Sequence, residues 1–549
     1  MIEKKPRSLL LPLGVVGLLA GVGVAASWIL TQRGAFSGMP VGANILPQST
    51  LMSVSVTTQT AQWQKLQAFG TRETQLAFTQ GLADWQTRLL SRNGYRYQTD
   101  IQPWIGEQAT LAFLPGPAPS TTSGLEQSLV WVLPIKNPDQ ARQALAKRQQ
   151  ATKSLERTYK GLKIQEIQGS SSQAYSTTVL DERLVVASNA QAMEQVVDTY
   201  RGKASLATVP GYRSALREIN GYQPFAQVYV NLPAAASAAI ARSGRSVSPE
   251  ALASIQQSQG LSSTVTLESD GVRFKSISWL NPNSQRTLPV PNKAQDLHTR
   301  LPANTLIMAS GSNFQQLWQD YAQGAQPQLA LPFNPEQFRT SIRAATGMDF
   351  DQDFVKWMNG EFALAVVPAG GNTPQGAAVV LMAQTRDRRL AERSFKQLDT
   401  VMSRQFNLNV SQSKIGNRTL TTWKVPPRLP VATHGWLDSN VAFLSLGAPI
   451  ETTFVPQPQT ALAGSELFQA ATRSNLKPAS GYFFVDMNRT QTLLNNSPLL
   501  PKLAPNLRKF ATAIQGIGVT AAVKNERSTR YDVLVKLKKT ENPQAFSHP

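Results

Sequence analysis

The sequence predicts an α+β fold: two homologous tandem domains, each a mainly antiparallel sheet with packed helices, following one N-terminal transmembrane helix. Three observations carry this. First, the chain repeats itself. Leu46-Pro47-Gln48-Ser49-Thr50-Leu51 returns as Leu301-Pro302-Ala303-Asn304-Thr305-Leu306, and Asp100-Ile101-Gln102-Pro103-Trp104-Ile105-Gly106-Glu107 returns as Asp353-Phe354-Val355-Lys356-Trp357-Met358-Asn359-Gly360-Glu361. Such a repeat constrains the fold before any local pattern does. Second, many strand pairs are joined by turns too short for a parallel crossover. Third, Ser8 to Leu30 carry no charge, a stretch long enough to cross a bilayer as a helix, which takes about 20 residues.

The chain has 549 residues, more than a single core usually serves. It contains no Cys, which excludes disulfides, thiolate nucleophiles, Cys-based zinc sites and lipid attachment through Cys. Formal net charge is +20, from 54 Lys and Arg against 34 Asp and Glu. That field suits an anionic partner, whether acidic protein, anionic headgroup or nucleic acid, and it also serves solubility. No Lys/Arg run with interleaved aromatics speaks for nucleic acid.

The elements follow in order. Residues 1–7 form a basic N-terminus that Lys4, Lys5 and Arg7 hold in the cytoplasm, and the chain beyond the span is exported. Residues 8–30 are the transmembrane helix and 31–44 a tether. The competing reading is a cleaved signal peptide, whose apolar region is about 7–15 residues; only Ala25-Ala26-Ser27 offers it a cleavage site. Gly17 and Gly21 have the spacing that lets two membrane helices approach, giving a possible homodimer contact, although Gly is frequent in such helices anyway.

The first repeat domain covers 45–280, a Pro-containing linker 281–300, the second repeat domain 301–538, and a flexible tail 539–549. Each repeat opens on a strand, at Leu51 to Val56 and at Leu306 to Ala309, the first by its alternation. Helical stretches follow, and then the Asp-x-x-x-Trp motif. Two strands come next in each, Thr110 to Leu114 with Leu129 to Leu133, and Ala363 to Val367 with Ala378 to Met382. Asn137 then caps a helix with Pro138 at its first position. In the second copy Leu390, Ala391, Phe395, Leu398, Val401 and Met402 form one buried helical stripe. Hairpins turn at Asp181 and Asp438, since Asp bonds its own turn backbone. Strands Ala226 to Leu232 and Gly481 to Met487 end at Asn231 and Asp486, which cap the next helices, and each copy closes with a hairpin.

The sequence points to no catalytic, cofactor-binding or metal-ligating residue. His298, His434 and His548 lie in the linker, a loop and the tail, without a ligand partner at metal spacing. There is no nucleophile elbow, phosphate loop or His-Glu-x-x-His. Asp349-Phe350-Asp351-Gln352-Asp353 imitates the start of a calcium loop, but the required sixth and twelfth positions hold Phe354 and Gly360. Trp104 and Trp357 read as buried side chains one turn after a helix-starting Asp, rather than as ligand platforms. Gly106 and Gly360 read as left-handed helix ends.

With its N-terminal span, Leu-Pro-x-x-Thr-Leu openings and paired Trp…Gly-Glu strands, the chain resembles an uncharacterised cyanobacterial family of single-span proteins with a duplicated domain, a domain of unknown function. The resemblance implies a plasma or thylakoid membrane, with the bulk of the chain in the periplasm or thylakoid lumen, and carries no activity. The sequence therefore leads to the expectation of a membrane-anchored, extracytoplasmic, non-catalytic scaffold or assembly protein. It would act on a membrane-associated protein complex, with no cofactor and no nucleic acid. The alternative is a carrier or receptor for an apolar or anionic small ligand, in a pocket between sheet and helices.

Overall fold

The computed structural model describes residues 39–540 except 90–95, 117–127, 152–153, 169–173, 222, 244–252, 254, 291–292, 295, 323–333, 370–375, 427–428 and 497–508. The described chain forms two compact units, one ending at Thr287 and taking in the residues from Leu537 on, the other Leu288–Lys536.

The first unit holds β1 (Met52–Thr57), β2 (Gln108–Leu114), β3 (Ser128–Pro134), β4 (Ser154–Tyr159), β5 (Leu162–Gln168), β6 (Ala174–Leu180), β7 (Arg183–Ala187), β8 (Ala226–Val230), β9 (Ser258–Glu268) and β10 (Gly271–Leu280). They pair antiparallel in the order β10-β9-β8-β1-β2-β3-β7-β6-β5-β4. Alternate residues point to opposite faces. Ala112, Leu114, Val130 and Val132 meet Met193, Val196 and Val197 of the helix Ala190–Tyr200 on one face. That helix starts where Asn189 accepts a bond from the Ala192 amide at 2.8 Å, satisfying a donor the helix leaves open. Val54 and Val56 contribute to the other face, beside Trp63 and Phe225.

The second unit holds β11 (Ile307–Gly311), β12 (Phe362–Pro368), β13 (Ala377–Gln384), β14 (Asn409–Ile415), β15 (Arg418–Val425), β16 (Leu429–Trp436), β17 (Val441–Gly447), β18 (Gly481–Asp486), β19 (Ile514–Asn525) and β20 (Ser528–Leu537). The order is β19-β18-β11-β12-β13-β17-β16-β15-β14, with β20 beside β19. Met308, Ala365, Val380, Phe443 and Phe484 anchor its core; each large apolar side chain buried this way contributes about 1.5–3 kcal/mol. The helix Arg388–Arg404 begins at Asp387, whose carboxylate accepts from the Leu390 amide, and buries Ala391, Phe395, Leu398 and Val401. That stripe follows the periodicity of its sequence.

The expected fold class needs correction. The described strands belong to one 20-stranded antiparallel sheet, so their hydrogen bonding does not divide into two tandem domains with a sheet each. No helix among the described residues is long and apolar enough to cross a membrane. The stretch 8–30, with Gly17 and Gly21, lies outside the described residues, as do His548 and residues 541–549. The physical reason is that a sequence repeat reports local chemistry, such as turns, caps and strand starts. Whether a sheet ends at the repeat boundary depends on which strand edges find partners, and local sequence does not encode that.

Candidate functional site

The duplicated motif is structural. Trp104 and Trp357 are both buried. Their indole N–H groups donate to the carbonyl oxygens of Asp100 at 2.6 Å and Asp353 at 3.0 Å. The carboxylates turn back along the chain: Asp100 accepts from the Arg96 amide at 2.7 Å and Asp353 from the Asp349 amide at 2.8 Å. Neither ring is available to a ligand. The glycines need a different reading from the one the sequence suggested. Gly106 and Gly360 do not adopt positive φ, so neither is a left-handed helix end. Space is what excludes a side chain. An added Cβ would lie 3.1 Å from Pro134 Cγ in the first case, and 3.0 Å from Gln384 Cβ and its carbonyl oxygen in the second.

The acidic run is also engaged. Asp349 accepts from the amides of Asp351 and Gln352, both at 3.0 Å, and pairs with Arg343; bonds from the Gln352 amide and from Arg343 hold its carboxyl below the usual range. Asp351 accepts from Trp318 Nε1 at 2.6 Å and Arg339 Nε at 2.8 Å. Among the described residues, no group of three or more His, Cys, Asp or Glu is placed to hold a metal ion.

His434 is not a loop residue. It stands in β16, 6% exposed, and stacks on Phe395 at 4.4 Å between centroids. Its Nε2 lies 2.8 Å from Asp399 Oδ1, which also accepts from Trp423 Nε1 at 2.6 Å. This is a polar tie between the helix Arg388–Arg404 and the sheet. His298 occupies a short 3-10 turn, Leu297–Arg300, with its ring 5.0 Å from that of Tyr482 and 5.8 Å from that of Phe468.

The concave polar site lies at one end of the strands of the second unit. There β11 ends, β12 begins, β13 ends and β17 begins, as their pairing register requires. A cleft of about 470 Å³ opens among Ser312, Asn313 and Gln316 after β11, Asn359 to Glu361 before β12, Gln384 to Arg386 after β13, and Asn440. Pro289 and Lys293 supply its remaining wall. This wall segment is pinned. Ala294 N–H donates to Ala479 O at 2.8 Å. Glu361, 5% exposed, accepts from the amides of Asp296 at 3.0 Å and Leu297 at 3.1 Å.

The lining is rich in donors. Asn313 Oδ1 accepts from the Gln316 amide at 3.0 Å and Asn359 Oδ1 from the Arg386 amide at 3.1 Å. Both carboxamides therefore have their oxygen engaged by backbone, and among the described residues their NH₂ groups are left for a ligand. Lys293 and Arg386 are exposed at the cleft, and among the described residues neither has a carboxylate partner. The one acid, Glu361, is committed to backbone amides. The nine-residue helix Phe314–Ala322 starts at the cleft, adding the positive end of its dipole. None of this was visible in the sequence, because the lining residues come from separate segments and share no motif.

A family model described as "Protein of unknown function (DUF3352)" matches residues 13–537. None of the curated proteins matches the chain. Among solved structures, one titled "Structure of crystal form III of TP0453" is similar at 8% identity with a TM-score of 0.24, over 46% of this chain and 84% of that one. A likeness that low carries no argument.

Proposed function

Since the chain belongs to this DUF3352 family of unknown function, we propose from the cleft that it is a non-catalytic receptor or carrier for a small anionic ligand. One observation carries the reading: Lys293 and Arg386, neither with a carboxylate partner among the described residues, line the same cleft as two carboxamides whose oxygens are engaged by backbone amides. Arg offers a planar fork to a carboxylate, sulfate or phosphate group, and Lys a mobile point charge. The volume falls within the range of small-molecule sites. The cyanobacterial origin that the resemblance implied, and a location outside the cytoplasm, are part of this proposal and not of the family assignment. Calorimetric titration of the full-length chain in mild detergent with sulfate and with small di- and tricarboxylates tests it. Saturable binding at one site per chain supports the reading; heats no larger than dilution for every anion would sink it.

A second reading, docking of a membrane-associated protein, is favoured by a different feature. Phe483, Ala309 and Leu364 share a row across β18, β11 and β12, and Leu446 stands on the same face one row on. Phe483, Leu364 and Leu446 are 38%, 40% and 44% exposed, an unusual amount of large apolar surface on one sheet face. If a partner docks there, changing all three to Ser abolishes co-purification of the protein that accompanies the unaltered chain. Recovery of the same protein with both chains rules this reading out.

A further inference from the structure

We infer that His298 is a proton-operated latch on the wall of this cleft, so that acid loosens the wall and releases the anion; this rests on the anion-binding reading above. The wall residue Lys293 belongs to the same short stretch as the 3-10 turn Leu297–Arg300. Glu361 holds the entry to that turn through the Asp296 and Leu297 amides. His298 holds the turn itself, its ring set against Tyr482 and Phe468. Its Nδ1 is buried and has no partner among the described residues. A neutral imidazole tolerates that setting. An imidazolium does not, because the added N–H charge would have neither acceptor nor water.

The ionisable groups on the elements around it are Asp296 and Arg300 on its own stretch, Glu361 before β12, Tyr482 and Asp486 on β18, and Glu466 at the start of the helix Glu466–Thr472. Arg300 is paired with Asp438 at 3.4 Å. Burial pushes the His298 pKa down, and the charge of Asp296 opposes this without cancelling it. The sign follows. A His depressed in the folded form contributes fully above its ordinary value of about 6.5, and its contribution is lost as pH falls below that value. Relief comes from lifting the turn, and Lys293 leaves the cleft with it.

The test compares pH 7.5 with pH 5.5, a window above the ordinary carboxylate range of about 4. Sulfate is the probe because it stays a dianion throughout. Its affinity for the full-length chain should fall with acid by up to about tenfold per pH unit, the slope of one linked proton. The exchange protection of a peptide covering residues 293–301 should fall in parallel. His298→Phe, or His298→Leu if the first does not fold, should show the behaviour of pH 7.5 at both values. Unchanged protection of that peptide on acidification in the unaltered chain overturns the latch, and so does an equal acid response in the variants. If sulfate binds at neither pH, the anion reading falls, and the exchange comparison alone decides the latch.

Discussion

Replacing Glu361 with Gln perturbs the wall of the cleft at its firmest point. The carboxylate is 5% exposed and accepts two backbone N–H bonds, at 3.0 and 3.1 Å. A carboxamide of the same shape has one acceptor oxygen, so its NH₂ must face the second N–H. One bond to a charged acceptor, worth about 1.5–3 kcal/mol, is lost, and the other weakens to a neutral bond of about 1 kcal/mol. The sum is roughly 2–5 kcal/mol against local closure, which raises the open population of the turn roughly 30- to 5,000-fold. Hydrogen exchange of the peptide 293–301, read by mass spectrometry at pH 7.5, measures this directly. Ligand affinity is the wrong readout, because removing a negative charge beside an anion site acts in the opposite direction. The corresponding change Glu107→Gln is the control. Burial raises the pKa of Glu107 against the pull of Lys136, so its charged form gains little and the neutral isostere should be close to silent. Protection of 293–301 within twofold of the unaltered chain in Glu361→Gln would refute the clamp.

Other changes test the frame that holds the site. Gly360→Ala puts a Cβ 3.0 Å from the Gln384 carbonyl oxygen, and should lower stability by about 1–3 kcal/mol by overpacking, seen as a lower denaturant midpoint; an unchanged midpoint contradicts the close-approach reading. Asp399→Asn weakens the acceptor shared by His434 and Trp423 and should cost about 1–3 kcal/mol in the same assay, with altered Trp fluorescence; Asp399→Asn with unaltered stability and fluorescence would show the tie to be idle. Asp198 is held down to about 2 by bonds from Lys160 and Lys203. Because its pKa is lowered, it stabilises above its ordinary value near 4 and loses that effect as pH falls toward about 2. The melting temperatures of Asp198→Asn and the unaltered chain should therefore differ at pH 6 and converge between pH 4 and 2; a constant gap contradicts this.

Local chemistry was legible in the sequence wherever the partner lies a few residues away. Asn137 accepts from the Gln140 amide, Asn231 from Ala234 and Asp486 from Arg489. Asp438 closes its turn onto the amides of Asn440 and Val441. The helix stripe from Ala391 to Val401 needed only its period. What was missed depends on distant contacts. Gly360 looked like a helix end because it follows a helical Trp, yet the residue that requires it is Gln384, on another strand. His434 looked like a loop residue, yet it stands within β16. Glu361 looked like a strand start, while its partners are Asp296 and Leu297 in what reads as a linker. The cleft was illegible for the same reason: Lys293, Asn313, Asn359 and Arg386 meet only once β11, β12 and β13 are paired.

On the anion-binding proposal, Lys293 and Arg386 hold the ligand in the cleft. Equilibrium dialysis of radiolabelled sulfate against the full-length chain, beside a Lys293→Ala and Arg386→Ala double variant of equal melting temperature, tests it most directly. The cleft reading predicts one bound sulfate per chain, with loss of both charge contacts weakening it at least about 100-fold, since each charge-assisted bond is worth about 1.5–3 kcal/mol. Sulfate bound equally by both proteins, or by neither, contradicts it.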